Sequence, residues 1–214
     1  MRKLLLGLSS CLILISGPLS LTVASVQPLC RNIVYIHVPA ALCSLACFCV
    51  LFICSIQYLR GLPQGGVPEK AQKWDYIAAA SAEVGLVFAT VLNATGSVFA
   101  RAEWGVWWTP SPRLISSAAL WFLYVAYLIL RAGFAAERRK GQISAVFGII
   151  AFIDVPLVLI SARFVRDIHR PGFSFETGWQ YAALGLAVCG TLLLAAMLIW
   201  IRTDILKIEK RFNQ

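Results

Sequence analysis

Six long apolar stretches, separated by shorter polar segments, account for most of this chain: residues 4 to 26, 33 to 59, 76 to 100, 114 to 130, 143 to 162 and 179 to 201. Each has roughly the 17 to 25 residues that a helix needs to cross the hydrocarbon core of a bilayer. The pattern predicts an all-α, polytopic membrane protein of six transmembrane helices in one integral membrane domain spanning residues 1 to 214, without internal repeats. The first stretch follows Arg2 and Lys3 as a signal peptide would, but its 23 uncharged residues exceed the ~7 to 15 of a signal core, so it reads as a retained first helix.

The polar segments set the expected topology. Residues 60 to 73, RGLPQGGVPEKAQK, hold two prolines and three glycines and read as a flexible connection. Residues 131 to 142 form a basic turn, and the tail RTDILKIEKRF intersperses Ile205, Leu206, Ile208 and Phe212 with charges. That tail reads either as an amphipathic helix on the membrane surface or as a solvated extension of the sixth helix. With the N-terminus inside, thirteen cations fall on the inner side: Arg2, Lys3, Arg60, Lys70, Lys73, Arg131, Arg138, Arg139, Lys140, Arg202, Lys207, Lys210 and Arg211. Six fall outside: Arg31, Arg101, Arg113, Arg163, Arg166 and Arg170. The positive-inside rule then predicts both termini in the cytoplasm of a multi-pass membrane protein.

Composition narrows the functional classes. With 59% hydrophobic and 14% charged residues and a mean hydropathy of +0.77, no single core could bury so much apolar surface in water. The net charge of +9 is accounted for by the membrane orientation and calls for no nucleic-acid partner. Cys11, Cys43, Cys47, Cys49, Cys54 and Cys189 lie inside apolar runs as small hydrophobes, and only Cys30 sits near a membrane edge. The sequence contains no CxxCH or CxxC, no phosphate-loop motif and no Ser/His/Asp or metalloprotease pattern.

What chemistry there is clusters on the predicted outer side. The loop from Trp104 to Arg113, WGVWWTPSPR, spends three of ten residues on tryptophan. Spaced i, i+3 and i+4, Trp104, Trp107 and Trp108 would share one face of a helical turn ended by Pro110 and Pro112. Such a loop is either an aromatic belt at the headgroup level or a platform for a planar, mostly apolar ligand. Both histidines, His37 near the start of the second helix and His169 in the last outer loop, fall on this side too. Glu83 and Asp154 are the only acids deep within the predicted spans. Each is expected to be neutral or partnered, Glu83 through helix packing or a partner, and Asp154 through backbone groups freed by a kink at Pro156.

The pattern WG-x-WW-x-x-x-x-RL resembles the tryptophan-rich "WWD" signature of the haem-handling membrane proteins of cytochrome c biogenesis. Residues 35 to 41 (YIHVPAA), 82 to 85 (AEVG) and Gly96-Ser97 are similar to those of the haem exporter protein C family in the bacterial and mitochondrial cytochrome c maturation system. The resemblance runs from about residue 31 to residue 170 and departs where Ser111 replaces the signature's aspartate and Pro110 a tryptophan. It implies that His37 and His169 are axial ligands of the iron of haem b (iron protoporphyrin IX), held non-covalently and transiently. The alternative for each histidine alone is an ordinary solvated side chain. Trp104, Trp107 and Trp108 would shield the porphyrin. Arg101, Arg113, Arg166 and Arg170 would meet its propionates, since guanidinium binds carboxylate bidentately, or else pair with Glu103, Asp167, Glu176 or lipid headgroups. The family implies a handling and transfer role, with a periplasmic membrane-anchored haem chaperone, ATP-binding cassette subunits and a small one-helix subunit as partners beside membrane lipid. Two rivals are an electron-transfer subunit with a permanent b-type haem, and a haem transporter, which would need a polar or discontinuous path near the midplane.

Overall fold

The computed structural model describes residues 2–23, 30–63, 65–164 and 178–212, all helical or in connections between helices, with no strand among them. Seven helical segments follow one another: α1 (Arg2–Val23), α2 (Cys30–Arg60), α3 (Glu69–Trp104), α4 (Pro112–Ala132), α5 (Glu137–Ala151), α6 (Asp154–Phe164) and α7 (Gly178–Phe212). Five spans among the described residues are long and apolar enough to cross a membrane, α5 and α6 together supplying one, Arg138–Ser161. The first helix contributes a shorter apolar stretch, Leu4–Ser16. The chain is a multi-pass helical membrane protein.

The helices outrun the apolar stretches that predicted them. α3 begins at Glu69 rather than residue 76 and ends at Trp104 rather than residue 100, and α7 continues from residue 201 to Phe212 without a break. Apolarity marks only the part of a helix that lipid must cover, whereas backbone hydrogen bonding carries the helix on through polar residues. The tail is therefore the extension of the last helix, stabilised by an i,i+3 pair between Lys207 and Asp204 at 3.1 Å.

The fifth predicted span is the one that divides. Pro156 has no N–H to offer the Phe152 carbonyl four residues earlier. That carbonyl instead accepts from Val155 N at 3.0 Å, and Ile150 O accepts from Ile153 N at 3.1 Å, so two tight turns interrupt the helix between Ala151 and Asp154. Asp154 opens α6, but its Oδ2 is buried and takes no hydrogen bond. The expectation that this carboxylate binds the backbone groups released by the kink is not met at that oxygen, because neighbouring carbonyls and amides have already rearranged among themselves.

α2 is the centre of the bundle. It packs along α3 and also touches α5, α7 and α1, while α1 lies chiefly on α7 and α4 joins α3 to α5 and α6. The core sets Phe48 and Leu51 of α2 against Ala78, Ala82 and Ala89 of α3 and Leu120, Tyr124 and Tyr127 of α4. With lipid outside as apolar as the core inside, helices associate through close van der Waals fit, which small residues permit. At Gly85 a Cβ would stand 2.6 Å from the Phe48 ring and 2.9 Å from Cys47 Cβ, and at Gly190 one would stand 2.9 Å from Ile13 of α1. Cys43, Cys47 and Cys54 are buried, as their apolar neighbourhoods predicted.

At one end of the bundle, ion pairs join the helices. Arg131 donates to both carboxylate oxygens of Asp75 at 2.7 and 2.6 Å, tying α4 to α3. Arg202 of α7 grips Glu83 of α3 at 2.5 and 3.1 Å and also reaches Glu209 at 3.1 Å. Glu83 thus has a helix-packing partner, as one of its two readings expected. Arg138 donates to the carbonyls of Gly66 and Pro63 at 2.8 Å each, so the connection read as flexible is pinned by the start of α5.

Gly85→Leu should force α2 away from α3 and cost about 1 to 3 kcal/mol. Thermal melting of the detergent-purified variant, with Gly85→Ala as the milder step, measures this.

Candidate functional site

The opposite end of the bundle carries the start of α2, the end of α3 and the start of α4, and there the structure gathers most of the described candidate residues. His37 lies two residues before Pro39, within α2. Its Nδ1 is 3.0 Å from Thr95 Oγ1 on α3. Thr95 Oγ1 itself donates to the backbone carbonyl of Val91 at 2.7 Å, with Leu92 O at 3.1 Å. A hydroxyl has one proton. With that proton directed into the α3 backbone, Thr95 accepts from His37, which places the imidazole proton on Nδ1 and the basic lone pair on Nε2. This is the arrangement by which a histidine is prepared to ligate a metal through Nε2.

The ring is seated on a glycine. A Cβ at Gly96 would lie 3.1 Å from His37 Cε1, so any larger residue there would push on the imidazole. Polar links continue across the neighbouring helices: Trp121 Nε1 donates to Thr90 Oγ1 at 2.8 Å, Ser117 Oγ donates to Asn93 Oδ1 at 3.3 Å, and the Ser116 and Ser161 hydroxyls meet at 3.1 Å. These bonds hold α3, α4 and α6 in register beside the histidine.

The tryptophan loop departs from its predicted shape. Trp104 is the last residue of α3, and Gly105, at φ +76°, closes the helix with its N–H on the Arg101 carbonyl at 3.1 Å. Only glycine enters that left-handed conformation cheaply. Trp107 and Trp108 consequently lie beyond the helix in an irregular loop and do not share a helical face with Trp104. They are 60% and 50% exposed, whereas Trp104 is half-buried with its ring edge-on to Phe99 at 5.8 Å between centroids. Arg101 donates to the Gly105 carbonyl, and its guanidinium carbon lies 6.0 Å from the centre of the Trp107 ring. It therefore braces the loop. Eight residues, ~12 Å at the helical rise, separate Gly96 from Trp104 along α3.

Ser111 closes the loop on its other side. It caps α4, its hydroxyl accepting from Leu114 N at 3.4 Å, with Pro112 in the first turn. Aspartate caps helices equally well, so serine retains that capability where the signature has its acid. Arg113 is half-buried in the same turn. His169, Arg166 and Arg170 lie outside the described residues, so of the proposed ligand pair only His37 can be described.

Sequence reasoning passed over Thr95. Its signal was the run Thr95-Gly96-Ser97, small and polar inside an apolar helix, of which only the last two residues had drawn notice. Among the described residues, histidine, cysteine and acidic side chains do not cluster in a way that could hold a metal ion. The described residues at this end supply one imidazole, aromatic rings and guanidiniums.

A bundle of membrane-crossing helices with an imidazole set on a glycine beneath an exposed tryptophan loop defines a polytopic membrane protein with a candidate ligand site at one end. The sequence matches the family described as Heme exporter protein C over residues 2–214, and the chain belongs to that family. It is 28% identical over 185 residues to Heme exporter protein C of Escherichia coli K12, covering 84% of this chain and 72% of that protein. It is 27% identical over 191 residues to Heme exporter protein C of Bradyrhizobium diazoefficiens, covering 86% and 70%. The putative cytochrome c biosynthesis ccmC-like mitochondrial protein of Marchantia polymorpha is 27% identical over 147 residues, 69% of this chain and 58% of its own length.

Ser111→Ala should cost about 1 kcal/mol through loss of the α4 cap, and Ser111→Asp should retain that stability. Melting temperatures of the two variants measure the difference.

Proposed function

We propose that this chain handles haem during cytochrome c maturation, holding it at the end of the bundle that carries the tryptophan loop and passing it to a partner protein. The observation that carries the proposal is the His37–Thr95 pair: a threonine whose own proton is spent on its helix sets the imidazole with Nε2 as its basic nitrogen, in a member of the Heme exporter protein C family. Haem, when bound, supplies an iron that imidazole ligates well. His37 and His169 would hold that iron. Trp107 and Trp108 offer exposed apolar rings to the macrocycle, and Arg113, with Arg166 and Arg170, would receive the propionates. Arg101, already engaged with the loop carbonyl and beside Trp107, acts more by holding the platform than by meeting the ligand.

In this reading the end bearing the ion pairs faces the cytoplasm and the tryptophan loop the periplasm of a bacterial inner membrane, an orientation supported by the excess of lysine and arginine at the former end. A membrane-anchored haem chaperone is then the recipient, and ATP-binding cassette and one-helix subunits complete the complex. The haem is read as b type, and the lack of a CxxCH in the chain supports binding without thioether links.

A second reading, haem transport by the chain itself, is favoured by one feature, the interruption of the fifth span beside half-buried Asp154. Vesicles containing the purified chain alone should not accumulate labelled haem under the first reading and should under the second. A permanent electron-transfer haem is distinguished by its failure to leave for an added chaperone.

His37→Ala and His169→Ala should each lower bound haem and shift its absorption spectrum while insertion is unchanged, and unaltered spectra in both would end the ligand assignment. Thr95→Val should weaken haem binding roughly tenfold or more with His37 intact, as loss of a metal ligand's supporting hydrogen bond does. Titration of the purified variant with haem measures it.

A further inference from the structure

The two acids deep within the membrane-crossing helices are treated differently. Glu83 is held by Arg202 at 2.5 and 3.1 Å. Asp154 has no such cation, and its Oδ2 is buried and takes no hydrogen bond. It stands in the span Arg138–Ser161, seven residues before Ser161, ~10 Å at the helical rise, and so within the hydrocarbon layer. The tyrosine across from it has the complementary deficiency. Tyr124 of α4 is fully buried, its ring is stacked on Phe48 at 3.3 Å between centroids, and its hydroxyl makes no hydrogen bond. Three observations put the pair in one place. The Ser116–Ser161 bond fixes the antiparallel register of α4 and α6, which brings Asp154 level with Tyr124 to within one residue. Val155, next to the acid, shares a buried cluster with Tyr124. The Tyr124 hydroxyl also lies within reach of the Asp154 charge.

We propose that Asp154 and Tyr124 form a proton-binding site inside the membrane, at the break of the fifth span. A carboxylate without a counter-ion is costly at that depth. The described surroundings supply none: α4 carries Arg113 and Arg131 only near its two ends, and α5 has no titratable side chain after Lys140. Cys49 of α2 and Tyr127 of α4, the other titratable groups facing Tyr124, bring no positive charge. The species that neutralises Asp154 is therefore a proton drawn from water. An opposing influence keeps that proton exchangeable, because the break places Asp154 in the first turn of α6, where the helix dipole favours an anion. Tyr124 suits both states, since a phenol can accept as well as donate. With the proton bound, the carboxyl O–H donates to the tyrosine oxygen. With it released to water, the tyrosine O–H donates to the carboxylate and keeps its own proton. The site uses no haem and lies apart from the tryptophan loop.

Infrared spectra of the purified full chain in phosphatidylcholine nanodiscs, recorded across a range of pH, provide the test. The parent should show the C=O band of a protonated carboxyl that shifts in deuterium oxide and is lost as the pH rises. Asp154→Asn should remove that band. Tyr124→Phe, which keeps the ring that stacks on Phe48, should move both the band and the pH at which it disappears. The proposal is overturned if no carboxyl band depends on Asp154, because the side chain is then an anion throughout. It is overturned equally by a band that pH and deuterium oxide leave unchanged, which marks a permanently neutral acid, or by a titration that Tyr124→Phe does not move. Should the tyrosine variant fail to fold, the comparison of the parent with Asp154→Asn still decides whether Asp154 binds an exchangeable proton.

Discussion

The close approach of α2 and α3 is the constraint on which the rest of the molecule depends. Lipid gives these helices no hydrophobic reason to associate, so they must fit. They fit because α3 presents Ala78, Ala82, Gly85 and Ala89 where α2 brings Cys47, Phe48 and Leu51. Further along the same seam Gly96 admits the edge of His37, and Thr95 beside it supplies the oxygen that sets the tautomer. The candidate ligand is thus a product of helix packing. A residue on a helix flank becomes a prepared imidazole only because its neighbour lacks a side chain one position on.

The two ends of the bundle solve different electrostatic problems. Near the tryptophan loop, neutral hydroxyl, amide and indole groups make the interhelical bonds, and the cations Arg101 and Arg113 sit at the rim or in the first turn of α4. At the far end, carboxylates and guanidiniums do the joining, with Glu83 and Asp75 each held by an arginine from another helix. Charged pairs of this kind need satisfied geometry to offset desolvation, and the bidentate Asp75–Arg131 bond provides it.

Much of this architecture was legible in the apolar stretches, because a bilayer converts length and composition directly into helices. What failed to show was anything that hydropathy does not measure. The ends of α3 and α7 extend through charged residues, and the break near Phe152 arises from a single missing N–H at Pro156. The spacing of Trp104, Trp107 and Trp108 suggested one helical face, but the left-handed conformation of Gly105 cancels the periodicity in one step. His37 was identifiable as one of two histidines. Its hydrogen-bond partner was not, since Thr95 is 58 residues away and belongs with it only once the helices are paired. The joining of Glu83 to Arg202, 119 residues apart, was hidden for the same reason.

α3 is an uninterrupted helix of 36 residues, ~54 Å at the standard rise, and so nearly twice as long as the hydrocarbon layer is thick. It passes from Asp75, at the end bearing the ion pairs, to Trp104 at the other. A rod of that length cannot shorten to absorb a displacement, so its aqueous tips must travel together. The only break in a described span lies elsewhere, between Ala151 and Asp154, so α3 joins the two ends of the bundle as one continuous strut.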